Sequence, residues 1–379
     1  MKDHLLLTGA TGFIGQYLLR RLLLQDIPVV VIARGNDQQS ANDRLMSIVT
    51  KFEQEEGRKL RKPICFTGDL TEEMVGLDDN ALDWFEQNCR AVLHNAASIR
   101  FHAPNHDRTK EPWVSNLTGV QNMLELCRVA NMQEFHHIST AYVSGVRTDR
   151  VLESELDVGQ EFVNDYQQSK LEAEKAIHAC EWLNSRTIYR PALVVGDSKD
   201  GFTTAPDFGL YYYIQFNCEL MRKLRGVGVD GTINIPFRLR FTGNECRNIV
   251  TVDWVADAIV HILTRPEWHN QTYHLTPEVP CSTNSIMDAL QSYFDYDGIQ
   301  FVGTEEIPKD EQTEMEKLFY DFVETFESYW EDEPRFDRSN TNRATAGVPT
   351  PPIDADCLYR LIDYAATNCF NTDEPVGSS

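Results

Sequence analysis

The chain has 379 residues, of which 42% are hydrophobic and 25% are charged, a composition typical of folded globular proteins. Its 35 basic and 58 acidic residues give a formal net charge of −23. This charge argues against a general affinity for nucleic acid or anionic membranes, because both bind basic surfaces. The length suits one large domain or two closely joined domains.

Cysteines, the N-terminus and histidines indicate which class of protein this is. Nine cysteines without a CxxC pair indicate reduced thiols in a cytoplasmic protein instead of a disulfide framework or a zinc site. The start, MKDHLLLTGATGFIG, is too weakly apolar for a signal peptide or a membrane anchor, and we expect no membrane insertion elsewhere. The spacing of His94, His102, His106, His136 and His137 does not suggest ligands, so we expect no metal.

Short apolar runs alternate with helix-like segments from the N-terminus onward. HLLLTG (4–9) predicts a buried strand, 14–25 an amphipathic helix and PVVVIAR (28–34) a second strand. Further strands are predicted at 63–70, 91–97, 134–140, 185–196 and 247–252, and VDWVADAIVHIL (252–263) predicts a helix. Strands that alternate with helices form right-handed βαβ units, so we expect an α/β fold with a doubly wound parallel sheet of the Rossmann type.

A glycine motif joins the first strand to the first helix. TGATGFIG places Gly9, Gly12 and Gly15 at GxxGxxG spacing at this junction. Glycines here permit a tight turn, a close approach of the backbone to a pyrophosphate and close packing of the helix, whose N-terminus attracts phosphates. The pattern predicts a dinucleotide site.

The end of the second strand indicates which dinucleotide binds. IARG carries Arg34 where an NAD-specific protein usually has an acidic residue for the ribose hydroxyl. A guanidinium group favours the 2′-phosphate of NADPH, and Arg44 can add to it. Asp37, three residues after Arg34, is the alternative as a ribose ligand. We expect NADPH rather than NADH.

Two more strand ends carry candidate cofactor contacts. Asp69 and Leu70 follow the third predicted strand, where the edge of the adenine would lie. Asn95, Ala96 and Ala97 close the fourth strand with small residues, which allow a ligand ring to lie against the backbone. Ordinary turn chemistry at strand ends is the alternative interpretation for all of these residues.

The stretch DYQQSK (165–170) places Tyr166 and Lys170 on one face of a helix, four residues apart. A solvated helix face is the alternative interpretation. Upstream, HHISTAYVSG ends a predicted strand with Ser139 and Thr140, at the edge where ligands bind in open α/β sheets. We expect Lys170 to lower the pKa of Tyr166 and to hold the nicotinamide ribose, so that Tyr166 acts as an acid. Thr140 or Ser139 would donate a hydrogen bond to a carbonyl oxygen.

Together, TGATGFIG, HNAA (94–97), ST (139–140) and YxxSK (166–170) resemble the extended short-chain dehydrogenases/reductases. Within that group, IARG…ANDRL (32–45), SNLTGVQNMLELC (115–127), YRPALVVGDSKDG (189–201) and NIVTVDWVADAIV (248–260) resemble the thioester reductase branch. This branch includes fatty acyl-CoA reductases and the reductase domains of carboxylic acid reductases and nonribosomal synthetases. The resemblance covers about the first 265 residues. It implies a catalytic trio of Thr140, Tyr166 and Lys170, with Ser139 supporting the strand end.

The complete set of expected cofactor contacts spans the strand ends and the helices that follow them. It consists of Gly9, Thr11, Gly12, Phe13, Ile14, Gly15, Arg34, Arg44, Asp69, Leu70, Asn95, Ala96, Ala97, Asn116, Tyr166, Lys170 and Pro191.

After residue 196 the regular alternation stops. We expect an NADP-binding domain formed by 1–196 and 247–263, a smaller substrate-binding lobe formed by 197–246 and 264–372, and a frayed tail at 373–379. In the lobe, a basic cluster could bind the phosphates of CoA or phosphopantetheine, or pair with surface carboxylates: Arg222, Lys223, Arg225, Arg238, Arg240 and Arg247. Aromatic residues could line an acyl channel or pack in a core: Tyr211, Tyr212, Tyr213 and Phe216.

The leading hypothesis is an NADPH-dependent reductase that converts an acyl thioester to an aldehyde or, after a second hydride, to an alcohol. Because the 379 residues contain no adenylation or carrier domain, we expect the thioester to be carried by a separate acyl or peptidyl carrier protein or by CoA. One alternative is a reductase or dehydrogenase of a ketone, an aldehyde or a secondary alcohol. The other is a regulator that senses NADPH without turnover, although a sensor has no need of a Tyr/Lys pair.

Overall fold

The structure, a computed structural model, describes residues 2–36, 38–100, 105–206, 208–226, 231–323 and 332–370. Asp37, His102 and the tail at 373–379 lie outside the described residues. The strands are β1 (His4–Thr8), β2 (Val29–Ala33), β3 (Ile64–Thr67), β4 (Cys89–His94), β5 (Glu134–Ile138), β6 (Ser185–Pro191), β7 (Leu193–Val195), β8 (Ile233–Leu239), β9 (Cys246–Arg247), β10 (Ile249–Thr251), β11 (Thr272–Leu275), β12 (Cys281–Ser282) and β13 (Tyr296–Phe301). The helices are α1 (Phe13–Leu24), α2 (Ala41–Glu56), α3 (Asp79–Asn88), α4 (Gly119–Val129), α5 (Asp165–His178), α6 (Leu210–Gly226), α7 (Val252–Leu263), α8 (Thr283–Phe294), α9 (Glu314–Val323), α10 (Ser339–Ala344) and α11 (Ala355–Asn368).

Seven parallel strands form the main sheet, in the order β11-β6-β5-β4-β1-β2-β3. The central strands are apolar runs without alternation, and Leu5, Leu6 and Leu7 of β1 are completely buried. This is the pattern expected of a strand that helices cover on both faces. From β1 the chain proceeds to β2 and β3 on one side and then to β4, β5 and β6 on the other. The predicted α/β fold with a doubly wound parallel sheet is therefore confirmed.

The strands at one side of the sheet differ from the prediction. The expected strand at 185–196 divides at Ala192, because Pro191 ends β6 and has no N–H to donate to a neighbouring strand. β7 then pairs with β10 in a separate two-stranded parallel sheet, so the expectation that 247–252 continues the main sheet is wrong. The seventh strand is β11, which was missed because a four-residue TYHL run carries little periodicity.

The chain divides into two compact units. Unit 1 comprises Met1–Ala192, Trp254–Thr276 and Arg335–Pro349, and unit 2 comprises Leu193–Asp253, Pro277–Pro334 and Thr350–Ser379. These boundaries assign 264–276 and 335–349 to the unit of the main sheet, whereas the sequence assigned both to the lobe. The physical reason is that β11 pairs with β6, and that Phe336 forms a β-bridge with Val151.

Unit 2 has its own hydrophobic core, to which α6, α8 and α11 contribute. Tyr211 and Phe216 are buried in this core, and the Tyr211 hydroxyl accepts a hydrogen bond from the Gly196 N–H at 2.8 Å. Core packing is thus the observed use of these two aromatic residues. Arg238 of the basic cluster donates to the carboxylate of Glu316 at 2.9 Å, as expected if these arginines pair with carboxylates.

Two findings concern the chain as a whole. All nine cysteines lie within the described residues and are free thiols. Across the described ranges, none of the helices combines the length and the apolar character that crossing a bilayer requires.

The turn between β1 and α1 yields a prediction about stability. A Cβ atom on Gly15 would lie 1.9 Å from the carbonyl oxygen of Gly9, so Gly15→Ala forces α1 or the turn to move. We expect a loss of about 1 to 3 kcal/mol in the free energy of unfolding, measured by urea denaturation. Gly226→Ala is the matched control, because a Cβ atom there meets nothing within 4 Å among the described residues. Equal stability of the two variants would contradict the packing argument.

Candidate active site

Many of the expected site residues follow strands of unit 1 at the same edge of the sheet. The glycine turn follows β1, Arg34 follows β2, Asp69 follows β3, Asn95 follows β4 and Ser139 follows β5. Because the strands are parallel, their carboxyl ends meet along one edge. The chain adds β2 and β3 on one side of β1 and then returns to add β4 on the other side, so the strand order reverses between β1 and β4. Open α/β sheets bind ligands at such a point.

The backbone at this point is packed too closely for side chains. Gly9 has a φ of +67°, and a Cβ atom there would lie 2.8 Å from the backbone N and Cα of Ala96. The Gly12 N–H donates to the Gly9 carbonyl at 3.1 Å, and no side chain caps the first turn of α1. The first N–H groups of a helix have no partners within the helix, so the turn offers donors and a positive dipole end to phosphates. These features fit a dinucleotide.

Hydrogen bonds fix the turn against β4. The Thr8 hydroxyl accepts from the N–H groups of Asn95 and Ala96, both at 3.1 Å, and lies 3.0 Å from Nδ1 of His94. The Asn95 side chain donates to the Gly9 carbonyl at 3.1 Å. Asn95 therefore links the ends of β1 and β4. Its side chain is already hydrogen-bonded at the position where a cofactor contact is expected.

Two arginines lie beside the same turn. Arg34 is 66% exposed and its Nη1 lies 3.6 Å from a carboxylate oxygen of Asp69. Arg44 of α2 donates from Nη1 to the Arg34 carbonyl at 2.9 Å and from Nη2 to the Thr11 hydroxyl at 3.5 Å. Two guanidinium groups beside a phosphate-binding turn can hold a second phosphate group. Burial acts to raise the pKa of Asp69, but hydrogen bonds from Thr71 and the pairing with Arg34 lower it overall.

The other expected cofactor residues have varied surroundings. Asn116, in a π-helical turn before α4, is 1% exposed. Its side-chain amide hydrogen-bonds to the backbone of Ser98 and to the Ser169 hydroxyl of α5. Leu70 accepts from the side chain of Asn122 through its carbonyl oxygen. Three more residues flank the glycine turn or end a strand: Phe13 and Ile14 begin α1, half-buried, and Pro191 is buried at the end of β6. Ala97 is exposed after β4.

Thr140 and Tyr166 form the first contact of the expected catalytic trio. Thr140 is 3% exposed directly after β5, and its side chain hydrogen-bonds to the phenol of Tyr166 in α5. Asn164 caps this helix by accepting from the Gln167 N–H at 3.0 Å, which fixes where Tyr166 enters the site. Burial raises the pKa of Tyr166 to about 12, and the bond to Thr140 only partly offsets this effect. At neutral pH the phenol keeps its proton.

Ser139, the fourth expected catalytic residue, is buried beside Thr140. Its N–H donates to the Tyr189 carbonyl of β6 at 2.7 Å, which supports the strand end as expected. Its hydroxyl is buried and has no hydrogen-bond partner among the described residues. A buried hydroxyl without a partner is costly, so this group is a candidate to donate to a ligand.

Lys170 lies 2% exposed behind Tyr166. Its ammonium group donates to the Ile138 carbonyl at 2.8 Å and lies 3.4 Å from Nε2 of His137. Burial lowers the pKa of Lys170 to about 8, although the charge of Glu174 acts in the opposite direction. Lys170 is expected to lower the pKa of Tyr166, but burial raises this pKa, and the Lys170 ammonium group is directed to the Ile138 carbonyl of β5.

Buried groups that the sequence did not assign to the site surround Lys170. Glu174, one helical turn further along α5, is completely buried and accepts from Arg190 of β6 at 2.7 Å. The rings of His137 and His94 are stacked, with centroids 5.5 Å apart, and burial holds the pKa of both below the ordinary value. The i, i+4 spacing of Lys170 and Glu174 was a readable signal. The contact between the histidines depends on strand pairing and left no local signal.

Lys170 gives a prediction about pH dependence. Between pH 8 and 10.5 the folded protein has released the Lys170 proton while the unfolded chain retains it, so stability rises with pH in this window. We expect wild type to gain about 3 kcal/mol relative to Lys170→Met across the window. The measurement is chemical denaturation of both proteins at several pH values. A constant difference between the two would show that Lys170 is not a strained buried cation.

Comparisons with known proteins identify the family of the chain. Residues 7–259 match the NAD-binding family described as Male sterility protein. The nonribosomal peptide synthetase asaC of Aspergillus flavus is 27% identical over 289 residues, which are 72% of this chain and 26% of that protein. The chain thus spans about a quarter or less of the length of several curated relatives that it matches.

Two solved structures have the same fold. The terminal R domain from the myxalamid PKS-NRPS biosynthetic pathway has a TM-score of 0.73 at 21% identity, over 97% of this chain and 91% of that chain. A thiolation-reductase di-domain from an archaeal nonribosomal peptide synthetase has a TM-score of 0.72 at 21% identity, over 97% and 76%. The family match covers more than half of the chain. The chain therefore belongs to the Male sterility protein family of NAD(P)-dependent oxidoreductases, in the thioester-reductase-like branch of the extended short-chain dehydrogenases/reductases.

Proposed function

We propose that the protein is an NADPH-dependent reductase of acyl thioesters. The observation that carries this proposal is the hydrogen-bonded Thr140–Tyr166 pair, with Lys170 on the same helix, at the sheet edge that also bears the glycine turn. This arrangement combines a proton donor with a dinucleotide-binding turn, as reduction of a carbonyl group requires. A non-catalytic sensor would need the turn but not the donor.

The proposed cofactor would be held by the glycine turn, the first turn of α1 and the two arginines. A bound nicotinamide cofactor supplies the hydride that a carbonyl carbon accepts. The close approach of Gly9 to Ala96 keeps side chains away from the pyrophosphate position, and Arg34 and Arg44 provide positive charge for a 2′-phosphate. Arg34 and Arg44 are the reason for proposing NADPH instead of NADH.

Tyr166 holds the proton that the carbonyl oxygen requires. With a pKa raised to about 12, its phenol is protonated at neutral pH and can donate to an oxygen that becomes negatively charged. Thr140 orients the phenol, and the unpartnered hydroxyl of Ser139 is available to donate to the same oxygen. Lys170, cationic at pH 7, adds positive charge beside the site from its position on α5, where it donates to the Ile138 carbonyl of β5.

The thioester enters the proposal through the relatives. The solved di-domain joins a thiolation domain to a reductase domain, and a matching curated protein is a nonribosomal peptide synthetase. Reduction of a thioester cleaves the C–S bond: the carbon gains a hydride, the sulfur leaves as a thiol and an aldehyde remains. We propose that a carrier protein or CoA presents the acyl group and that unit 2 binds it.

The first prediction from this proposal is thiol release coupled to cofactor oxidation. We expect equal amounts of oxidised NADPH and free thiol with acyl-pantetheine or acyl-CoA substrates, measured in parallel by absorbance and by a thiol reagent. Tyr166→Phe should lower turnover at least about 100-fold, because the proton donor is lost, while NADPH affinity stays nearly unchanged. Tyr359→Phe, which changes an exposed tyrosine, is the control.

Other outcomes would revise the proposal in specific ways. Turnover of aldehydes or ketones without thiol release would identify a carbonyl reductase that uses the same residues. Full activity of Tyr166→Phe would remove the catalytic assignment. NADPH binding without turnover of any of these thioesters, aldehydes or ketones would favour a regulator that senses NADPH.

The second prediction concerns cofactor choice. Arg34→Ala should weaken NADPH binding about 10-fold to 100-fold, because a charged hydrogen bond to the 2′-phosphate is lost, and should leave NADH binding almost unchanged. Arg128→Ala is the control, since Arg128 is an exposed arginine of α4 that pairs with Glu125. The measurement is a fluorescence titration with each nucleotide. Equal weakening of both nucleotides would refute the role of Arg34.

A further inference from the structure

A cluster of metal-ligating side chains lies at the amino end of β5, away from the candidate active site. Nε2 of His136 lies 3.1 Å from a carboxylate oxygen of Glu134, and Nδ1 of His269 lies 3.6 Å from the same oxygen. The three ligand atoms all lie within 4.8 Å of one another. Ligands around a tetrahedral zinc ion, with bonds of about 2.0 to 2.2 Å, are roughly 3.3 to 3.6 Å apart.

The fold brings these residues together for a simple reason. Glu134 and His136 are two positions apart on β5, so their side chains point to the same face of the sheet. His269 lies just before β11, which pairs with β6, the neighbour of β5. The Glu-x-His spacing is visible in the sequence, but His269 is far away along the chain. This distance explains why the sequence predicted no metal.

Each histidine is oriented by its other ring nitrogen. Nε2 of His269 bonds to the carbonyl of Leu263 at 3.0 Å and must therefore carry a proton, which leaves the lone pair of a neutral ring on Nδ1. Nδ1 of His136 bonds to the Tyr189 hydroxyl at 3.0 Å. Metal-binding histidines are usually fixed in this way by a second hydrogen bond. The lone pair of His269 then faces the Glu134 carboxylate, an arrangement that a cation between the two groups would stabilise.

Charge and burial are consistent with such a cation. The side chain of His136 is completely buried and that of His269 is 8% exposed. Arg90 also approaches the Glu134 carboxylate, with Nη1 3.6 Å from the oxygen that faces the two histidines.

We infer that Glu134, His136 and His269 form a binding site for a divalent transition-metal ion of the zinc type. Two imidazole nitrogens and one carboxylate oxygen are a donor set that zinc and cobalt accept, with a further position for water. The site lies at the opposite end of β5 from Thr140, about 15 Å away by the rise of a strand. Its role is therefore structural: it links β5 to the segment that leads into β11.

The test uses the full chain and does not depend on turnover. We expect the purified protein to bind one equivalent of Zn²⁺ per chain, measured by elemental analysis after gel filtration, and its unfolding temperature to rise by roughly 5 °C or more with Zn²⁺. Glu134→Gln and His269→Gln should lose both effects while keeping the wild-type circular dichroism spectrum. His261→Gln, which changes a histidine of α7 outside the cluster, should keep both effects.

Cobalt distinguishes the proposed ligands from the nine free thiols. Co²⁺ bound to nitrogen and oxygen should give weak visible bands without the strong thiolate charge-transfer band that cysteine ligation produces. This spectrum needs only the wild-type protein, so it remains decisive if a variant fails to fold. No retained metal, a thiolate spectrum or equal binding by Glu134→Gln would overturn the inference.

Discussion

The Thr8 hydroxyl connects the ends of β1 and β4, the neighbouring strands between which the strand order reverses. By accepting the N–H groups of Asn95 and Ala96, it satisfies the backbone of β4 where that strand ends, within van der Waals distance of the glycine turn. No side chain fits between the two segments at Gly9, and a Cβ atom on Gly15 would meet the Gly9 carbonyl. The turn held by this contact leads directly into α1, and Arg44 reaches it through the Thr11 hydroxyl.

A second constraint is electrostatic. Lys170 is buried at a cost, and its ammonium group is stabilised by the Ile138 carbonyl and by the charge of Glu174. Glu174 is itself buried and depends on Arg190 for compensation. A buried pair of this kind stabilises a protein little compared with apolar packing, and loss of one partner is costly. The Glu174 carboxylate of this pair favours a cationic Lys170 next to Tyr166, although Lys170 is buried away from water.

The sequence predicted the parts of the fold that depend on local patterns. Apolar runs identified β1 to β6, and the glycine spacing identified the turn after β1. This turn is tight, as expected, with the Gly12 N–H donating to the Gly9 carbonyl. β11 was missed because its identity as a strand comes from pairing with β6 and not from its four residues. The pKa of Tyr166 was also beyond the sequence, since burial determines its direction and burial is a property of the folded chain.

β5 shows how one strand can serve stability and chemistry separately. Its carboxyl end leads into Ser139 and Thr140, whose positions would have to be accurate to fractions of an ångström for the proposed proton transfer. Its amino end carries Glu134 and His136, which make contacts with the segment before β11. A strand in the middle of a parallel sheet transmits such anchoring well, because it is hydrogen-bonded on both sides by β4 and β6. Fixing the amino end would therefore restrict the freedom of the proposed catalytic end without placing any group in the way of a substrate.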